Sequence, residues 1–458
     1  MDLASEWRSL LSPDEVSPDA CRQFAASLRE KKLTFGDRLH CPFLRPFLLT
    51  GQDEERIRTA AETIASAGER VAQAAMASRT LLHELGMTDP EIGLATIDPG
   101  YETASTASRL DSFLLPDSLH FAEYNAESPA GLGYTQKLAE IFDRLRVMAK
   151  FRERHSVRHH HTIDAMLAAL LASYAEWGGR ANPPTIAIVD WHEVPTWTEF
   201  EILRDAFVAA GVPTIVHDPR DLVFDGRTLT AGGRRIDLVY RRVLINDILS
   251  RPDDCRALVD AYSARAVCVA NTFRCKLAHK KAFFAVLTDS RHEGLFSDEQ
   301  RAAIRAHVPW TRILADTSTE REGRHAGLLQ IARKARERLV LKPNDEYGGT
   351  GVVLGWEASV SGWDDALEAA LGEPTGTRVL QERIPIRREI FPQFDGEGAV
   401  AFRDMLVDMA PYLFRGRMVG YLTRLSATGL ANVTSGGGQV PAFVVDTPSL
   451  SSGASDQN

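Results

Sequence analysis

The order of two motifs constrains this chain more than any other feature. Residues 121–131 read Phe-Ala-Glu-Tyr-Asn-Ala-Glu-Ser-Pro-Ala-Gly, and far downstream stands Lys342-Pro-Asn-Asp-Glu-Tyr-Gly-Gly-Thr-Gly351. Glu123 and Asn125 lie two apart at what reads as a strand end, so their side chains share one face. Oxygen donors at that spacing suit a hard cation such as Mg²⁺. In the later segment a strand delivers Lys342, and a glycine-rich turn follows whose N–H groups can wrap a polyphosphate. The chain must fold so that a metal motif placed early meets a phosphate loop placed late. A plain hairpin with a glycine turn is the competing reading of Lys342–Gly351.

With 458 residues the chain can build two or three packed units with cores that need no staples. The net charge of −9 argues against nucleic-acid and anionic-membrane partners, so a basic site must be a local pocket. The odd, scattered set Cys21, Cys41, Cys255, Cys268 and Cys275 contains no Cys-x-x-Cys and fits a reduced, cytoplasmic setting. The start, Met-Asp-Leu-Ala-Ser-Glu, lacks signal-peptide character, and the most apolar stretch, 165–174, is too short to span a bilayer. His159–His161 read as a solvated helix start or a metal-binding tract. Only nine residues are lysine, and Lys276, Lys280, Lys281 and Lys342 are four of them. A lysine is a compact point charge that suits a phosphate oxygen.

Residues 1–90 read as mostly helical, with a long periodic run over 52–85. Segments 92–101 and 118–124 read as strands, with 104–114 open between helix and strand; 135–152 and 161–177 read as helices. After a linker at 180–184 comes a β-α-β pattern: strand 184–190, helix 196–210, strand 213–217, a hairpin over 218–235 and strand 236–240. Residues 251–336 read as largely helical. Strands follow at 338–342, 352–356, 378–381, 402–408 and 417–425, interrupted by a helix at 362–372. The polar, small residues 449–458 read as disordered.

Three further constellations carry chemistry. Val379-Leu-Gln381-Glu382-Arg383-Ile384-Pro385 suits an adenine-binding hinge or is an edge strand. Asp111 can return beside Glu123 and Asn125 on a neighbouring strand, or be a loop acid. Arg424, followed by Asn432 and Gly436-Gly437-Gly438, can clamp a phosphoryl group or open a long hairpin.

Together these pieces resemble the circularly permuted ATP-grasp superfamily, in the manner of glutathionylspermidine synthetases and eukaryotic glutathione synthetases. The resemblance rests on Arg109-Leu110-Asp111, Glu123-x-Asn125-x-x-Ser128-Pro129-x-Gly131, and Leu341-Lys342-Pro343 with Gly348-Gly349. It implies an α/β (α+β) circularly permuted ATP-grasp fold with a Rossmann-like pre-ATP-grasp substrate domain. The implied units are a helical N-terminal region at 1–90, a permuted segment with the Mg motif at 91–180 and the substrate domain at 181–250. A nucleotide-binding region at 251–445 and a tail at 446–458 complete them.

The implied activity is ATP- and Mg²⁺-dependent joining of a carboxylate to an amine through an acyl phosphate. Alternatives are an ATP-binding module without catalysis and a phosphotransferase. The resemblance assigns Asp111, Glu123 and Asn125 to Mg²⁺. It assigns Lys280 or Lys281, Lys342, Gly348, Gly349, Gly351, Gln381, Glu382 and Ile384 to ATP. Arg109 and Arg424 fall to the transferring phosphoryl group. Ser128 and Arg241 or Arg242 fall to the substrate, although both arginines also read as partners of neighbouring acids. The expected partners are a small-molecule or peptide carboxylate and an amine, with no nucleic acid or membrane. Dimers are common in the superfamily, so a homodimer is compatible with this picture. The segment after Asp111 and the 424–438 stretch depart from the family pattern, and no cysteine amidase domain is present.

Overall fold

The computed structural model describes residues 2–35, 38–427 and 437–446. Asn432, Gly436 and the 449–458 tail therefore lie outside the described residues, while Gly437 and Gly438 lie within them.

The molecule is a mixed α/β structure built on three sheets that matter for the site. The largest has six strands. Five follow the order Gly438–Val440, Arg417–Ser426, Val400–Phe414, Ala107–Leu114, Leu119–Asn125, and Arg388–Phe394 also pairs with Val400–Phe414. The ambiguous segment 104–114 is thus a strand, closed by a turn at 115–118 onto Leu119–Asn125. A second, four-stranded sheet has the order Thr311–Ile313, Arg378–Glu382, Leu339–Pro343, Val353–Leu354. The third is fully parallel, in the order Cys268–Ala270, Leu238–Arg241, Ile186–Val189, Thr214–His217. Three of its strands are buried on both faces, as their apolar runs require, while the edge strand Thr214–His217 is half-buried at its end. Helix Trp197–Ala209 crosses between Ile186–Val189 and Thr214–His217, the expected β-α-β unit.

Several local expectations are corrected. Residues 92–101 do not form a strand, because Thr88-Asp89-Pro90-Glu91 starts the helix Asp89–Thr96 with a capping box and a proline in its first turn. The apolar run that looked like a strand is that helix's buried face. The 218–235 hairpin is a three-stranded meander. The 251–336 region is largely helical as expected but also carries short strands. Cys268–Ala270 adds a fourth strand to the parallel sheet, and Ser318–Arg321 pairs with Arg324–Gly327. Strand Phe47–Thr50, also missed, pairs in parallel with Ala442–Asp446.

The N-terminal helices are part of the main core. Helix Gly51–Met76 opens with a Thr50/Asp53 capping box and buries Ile57, Ile64 and Val71 in the same cluster as Tyr124 and Phe283. Its Gly68 lets the helix approach closely, since a Cβ there would lie 3.3 Å from Tyr124 and 3.5 Å from Phe283. Tyr124 thus anchors the back of its strand, and alternation sends Glu123 and Asn125 to the other side. Among the described residues no helix is long and apolar enough to cross a membrane. All five cysteines are free and buried.

Candidate active site

The hairpin Ala107–Leu114/Leu119–Asn125 sets the first half of the site. Its register places Arg109 opposite Asn125 and Asp111 opposite Glu123, with a shift just beyond, between Asp111 and Ser112. Two carboxylates facing each other across strands repel, so their presence requires cations. Arg109 supplies one: its Nε donates to Asp111 Oδ1 at 2.7 Å and its Nη2 to Oδ2 at 3.3 Å. Arg424 supplies another, reaching from its own strand to Asp111 Oδ2 and to Asp408, its cross-strand partner.

These contacts decide the titration. Burial pushes the Asp111 carboxyl up, but Arg109 and Arg424 outweigh it and hold the group well below the usual carboxylate range. Glu123 behaves alike: burial raises it, and Lys281, Lys342 and Arg424 bring it below normal against the repulsion of Asp111. Asp408 ends on the other side, at about 6, because burial and Asp111 outweigh Arg424. Its Oδ1 is buried without a hydrogen-bond partner among the described residues.

The second half comes from the four-stranded sheet. Lys342 Nζ donates to Gln381 Oε1 at 2.6 Å, and Gln381 Nε2 donates to Thr311 Oγ1 at 3.2 Å, which fixes the amide's orientation. Burial, with Lys281 nearby, lowers Lys342 to about 8 despite the pull of Glu123. Lys281 lies 3.5 Å from Glu123 Oε2 and donates to the Glu346 carbonyl. Gly348, Gly349 and Gly351 all adopt φ between 67° and 79°, a left-handed turn that side chains disfavour.

One cleft gathers these groups. Asp111, Glu123, Asp408, Arg424, Lys281, Lys342, Gly348 and Gly349 line it at one end. Val340, Leu354, Trp356, Gln381, Glu382, Ile384 and Ile386 line the rest. Polar charge at one end and an apolar slot beside a hinge fit a nucleotide's phosphates and base. A larger cavity of about 580 Å³ shares Glu382, Arg383 and Ile384 but contains none of the predicted lysines or metal ligands.

Not every predicted residue reaches the cleft. Lys280 does not: its Nζ bridges Glu91 at 2.7 Å and Asp345 at 2.8 Å, so Lys281 is the lysine of the pair that faces the site. Arg241 is fully buried, bonded to the Asn271 and Val243 carbonyls and 3.4 Å from Glu127, so its reading as the partner of a neighbouring acid is the one observed. Arg109 is taken up by Asp111 and the Ala130 carbonyl. Asn125 Nδ2 donates to Glu123 Oε1 at 3.2 Å. Gly351 shapes the loop, its carbonyl held by Arg378, without lining the cleft. Glu382 lines the cleft, but its carboxylate already accepts from Arg321 and Arg338. Ser128 Oγ donates to the Arg242 carbonyl at 2.8 Å, so those two meet beyond the metal strand.

Arg242 is buried and has no ion-pair partner among the described residues. Nearby Asp190 is lifted by burial to about 6, with Arg242 pulling it down. Both residues follow strands at the end of the parallel sheet where strand order reverses, the usual crevice for ligands in such sheets.

Sequence reasoning passed over Asp408 and Glu346, both of which line the cleft. The turn at Arg415-Gly416 signals the hairpin, but the pairing of Asp408 with Arg424 depends on a register shift at Tyr412/Leu413 that the sequence does not announce. Of the three consecutive histidines, His159 meets Asp143 and His160 meets Glu54. Among the described residues no group of three or more His, Cys, Asp or Glu side chains is arranged to hold a metal ion. The donor set is instead two carboxylates and an amide, and Mg²⁺ is ordinarily held by one or two carboxylates together with substrate phosphates.

A family model described as a circularly permuted ATP-grasp matches residues 116–377. That range includes Glu123, Asn125, Lys281, Lys342 and the glycine loop. A glutathione synthetase-like effector from Globodera pallida, solved in its apo form, aligns with 95% of this chain and 99% of its own, at TM-score 0.62 and 12% identity. A candidate gamma-glutamylcysteine synthetase from Methylobacillus flagellatus aligns with 86% of this chain and 88% of its own, at TM-score 0.41 and 11% identity. A search of curated proteins returned no match.

Proposed function

The chain belongs to the circularly permuted ATP-grasp family, and from that premise we propose that it is an ATP- and Mg²⁺-dependent ligase joining a carboxylate to an amine. The observation that carries this reading is the single cleft where Lys281, Lys342, Gly348 and Gly349 meet Asp111, Glu123 and Arg424.

Asp111 and Glu123, which line the cleft, and Asn125 beside Glu123 would hold Mg²⁺, which when bound would neutralise phosphate charge. Lys281 and Lys342 hold the phosphate oxygens, and the loop at 348–351 wraps them with backbone N–H groups. The apolar slot beside 381–384 takes the base. Arg424 faces the oxygens of the phosphoryl group in transfer, with Arg109 fixing Asp111 beside it. The γ-phosphoryl passes to a substrate carboxylate, ADP leaves, and the amine then attacks the acyl carbon and expels phosphate. In such chemistry the protein's work is mainly positioning and charge neutralisation. Arg242, buried with Asp190 and Glu199 near enough to favour its charge but in no ion pair among the described residues, and adjoining Ser128, suits the carboxylate of the acid substrate or of its remote end. The net charge and free, buried cysteines support small-molecule substrates and cytoplasmic residence.

The experiment is a hydroxylamine trap with purified protein, MgATP and a panel of carboxylates. Hydroxamate formed together with ADP supports the ligase. AMP release contradicts it, a stable phosphorylated product without any amine points to a phosphotransferase, and binding without turnover points to a non-catalytic module.

A further inference from the structure

Beside the cleft, and lining no part of it, runs a ladder of buried charges. Arg241 Nη1 lies 3.4 Å from Glu127 Oε1, and Lys276 Nζ lies 3.1 Å from Glu127 Oε2. The same Lys276 Nζ is 2.7 Å from Asp345 Oδ1, and Lys280 Nζ bridges Asp345 Oδ2 at 2.8 Å and Glu91 Oε1 at 2.7 Å. Signs alternate along the whole row, so three cations balance three anions. Asp345 is the only one of the six not fully buried, with a side chain 21% exposed. Lys276 and Lys280 stand four apart across one helical turn, so both ammonium groups converge on Asp345.

Three of the six stand close in sequence to residues assigned to the metal or the nucleotide. Glu127 follows Asn125 by two, Lys280 precedes Lys281, and Asp345 lies between Lys342 and Gly348. The backbone adds to the tie: Lys281 N–H donates to the Asn344 carbonyl at 2.9 Å, and Ala282 N–H to Asn344 Oδ1 at 2.7 Å. A buried ion pair contributes little stability that apolar packing could not supply. What it does supply is a directional tie between segments remote in the chain.

We propose that Asp345 is a positioning residue of the nucleotide site, holding the glycine loop against the Lys276–Lys281 segment so that Lys281 and Lys342 face one polyphosphate. This rests on reading the cleft as the ATP site. The base slot has its own walls, so the role is selective for phosphates.

Calorimetric titration of the full chain with MgATP and, separately, with adenosine tests it. In Asp345→Asn the MgATP dissociation constant is expected to rise by about tenfold or more, the usual cost of losing an outer support, while adenosine affinity stays at the wild-type value. Asp345→Asn leaves one buried cation in excess, so Asp345→Asn/Lys276→Met, which returns the set to neutrality with Arg241–Glu127 and Lys280–Glu91 still paired yet cuts the tie, is measured alongside and is expected to show the same selective loss. Unchanged MgATP affinity in these variants, or an equal loss for ATP and adenosine, overturns the positioning role alone. A wild-type protein that binds adenosine but not MgATP, or neither, overturns both this role and the reading beneath it.

Discussion

Lys342 donates to the backbone carbonyl of Ala122 at 3.4 Å, across 220 residues of chain. Lys342 therefore rests on the strand that carries Glu123, on the residue next to it. Two sheets meet there, one bearing the acids and the other the lysine and the hinge.

Charge removal at this meeting point is expected to act on rate rather than on fold. Glu123→Gln and Lys342→Ala should each lower ATP turnover by roughly 10²–10³, the usual cost of one preorganised charge contact. Steady-state ADP release measures it, with unfolding temperature as the control. Wild-type turnover in either variant removes the assignment.

The two adjacent lysines should separate cleanly. Lys281→Met is expected to weaken MgATP binding with little change in unfolding temperature, because Lys281 faces the cleft. Lys280→Met leaves Glu91 without its bonded ammonium and should destabilise the fold by about 3–5 kcal/mol, as breaking a buried pair does. Denaturant titration of both variants checks the contrast, and equal stabilities would contradict the assignment of Lys281.

Arg424 sits between two buried acids, Asp111 and Asp408. Arg424→Met should therefore cost on the order of 3–5 kcal/mol of stability. Arg424→Met/Asp408→Leu should recover part of that loss, because the acid left without a cation is removed while Asp111 keeps Arg109. A double-mutant cycle by denaturant unfolding reads the coupling, and strict additivity would refute it.

Acid sensitivity should have a distinct source away from the cleft. Burial raises the Glu54 carboxyl, but His160 and Arg158 outweigh it and bring it to about 2, well below its ordinary value of 4.5. A carboxyl depressed in the folded state adds stability above its unfolded pKa, and that stability fades as pH falls from about 4.5 to about 2. Unfolding free energy measured over that window should drop less steeply in Glu54→Gln than in wild type.

Much of the site was legible before any coordinates. Glu123 declares itself through strand alternation and the following turn, and Lys342 through its glycine loop, and both line the cleft, whereas Asn125 reaches only Glu123. What stayed hidden was tertiary in origin. Nothing in His-Lys-Lys-Ala says which lysine points to the cleft; packing of Glu91 and Asp345 decides it. Asp408 became visible only through the register of a long hairpin with a bulge at Tyr412/Leu413. The 92–101 error arose locally, because an apolar run outweighed the capping residues just before it. The helical residues 1–90 offered no functional signal, since Gly68 acts only through its closeness to Tyr124.

The acids ride on one sheet and Lys342 on another, and that split has a consequence for the newly made chain. On the proposed reading, a chain in which only one of the two sheets has formed holds half of the constellation, and the complete set of charges exists only once both sheets have met.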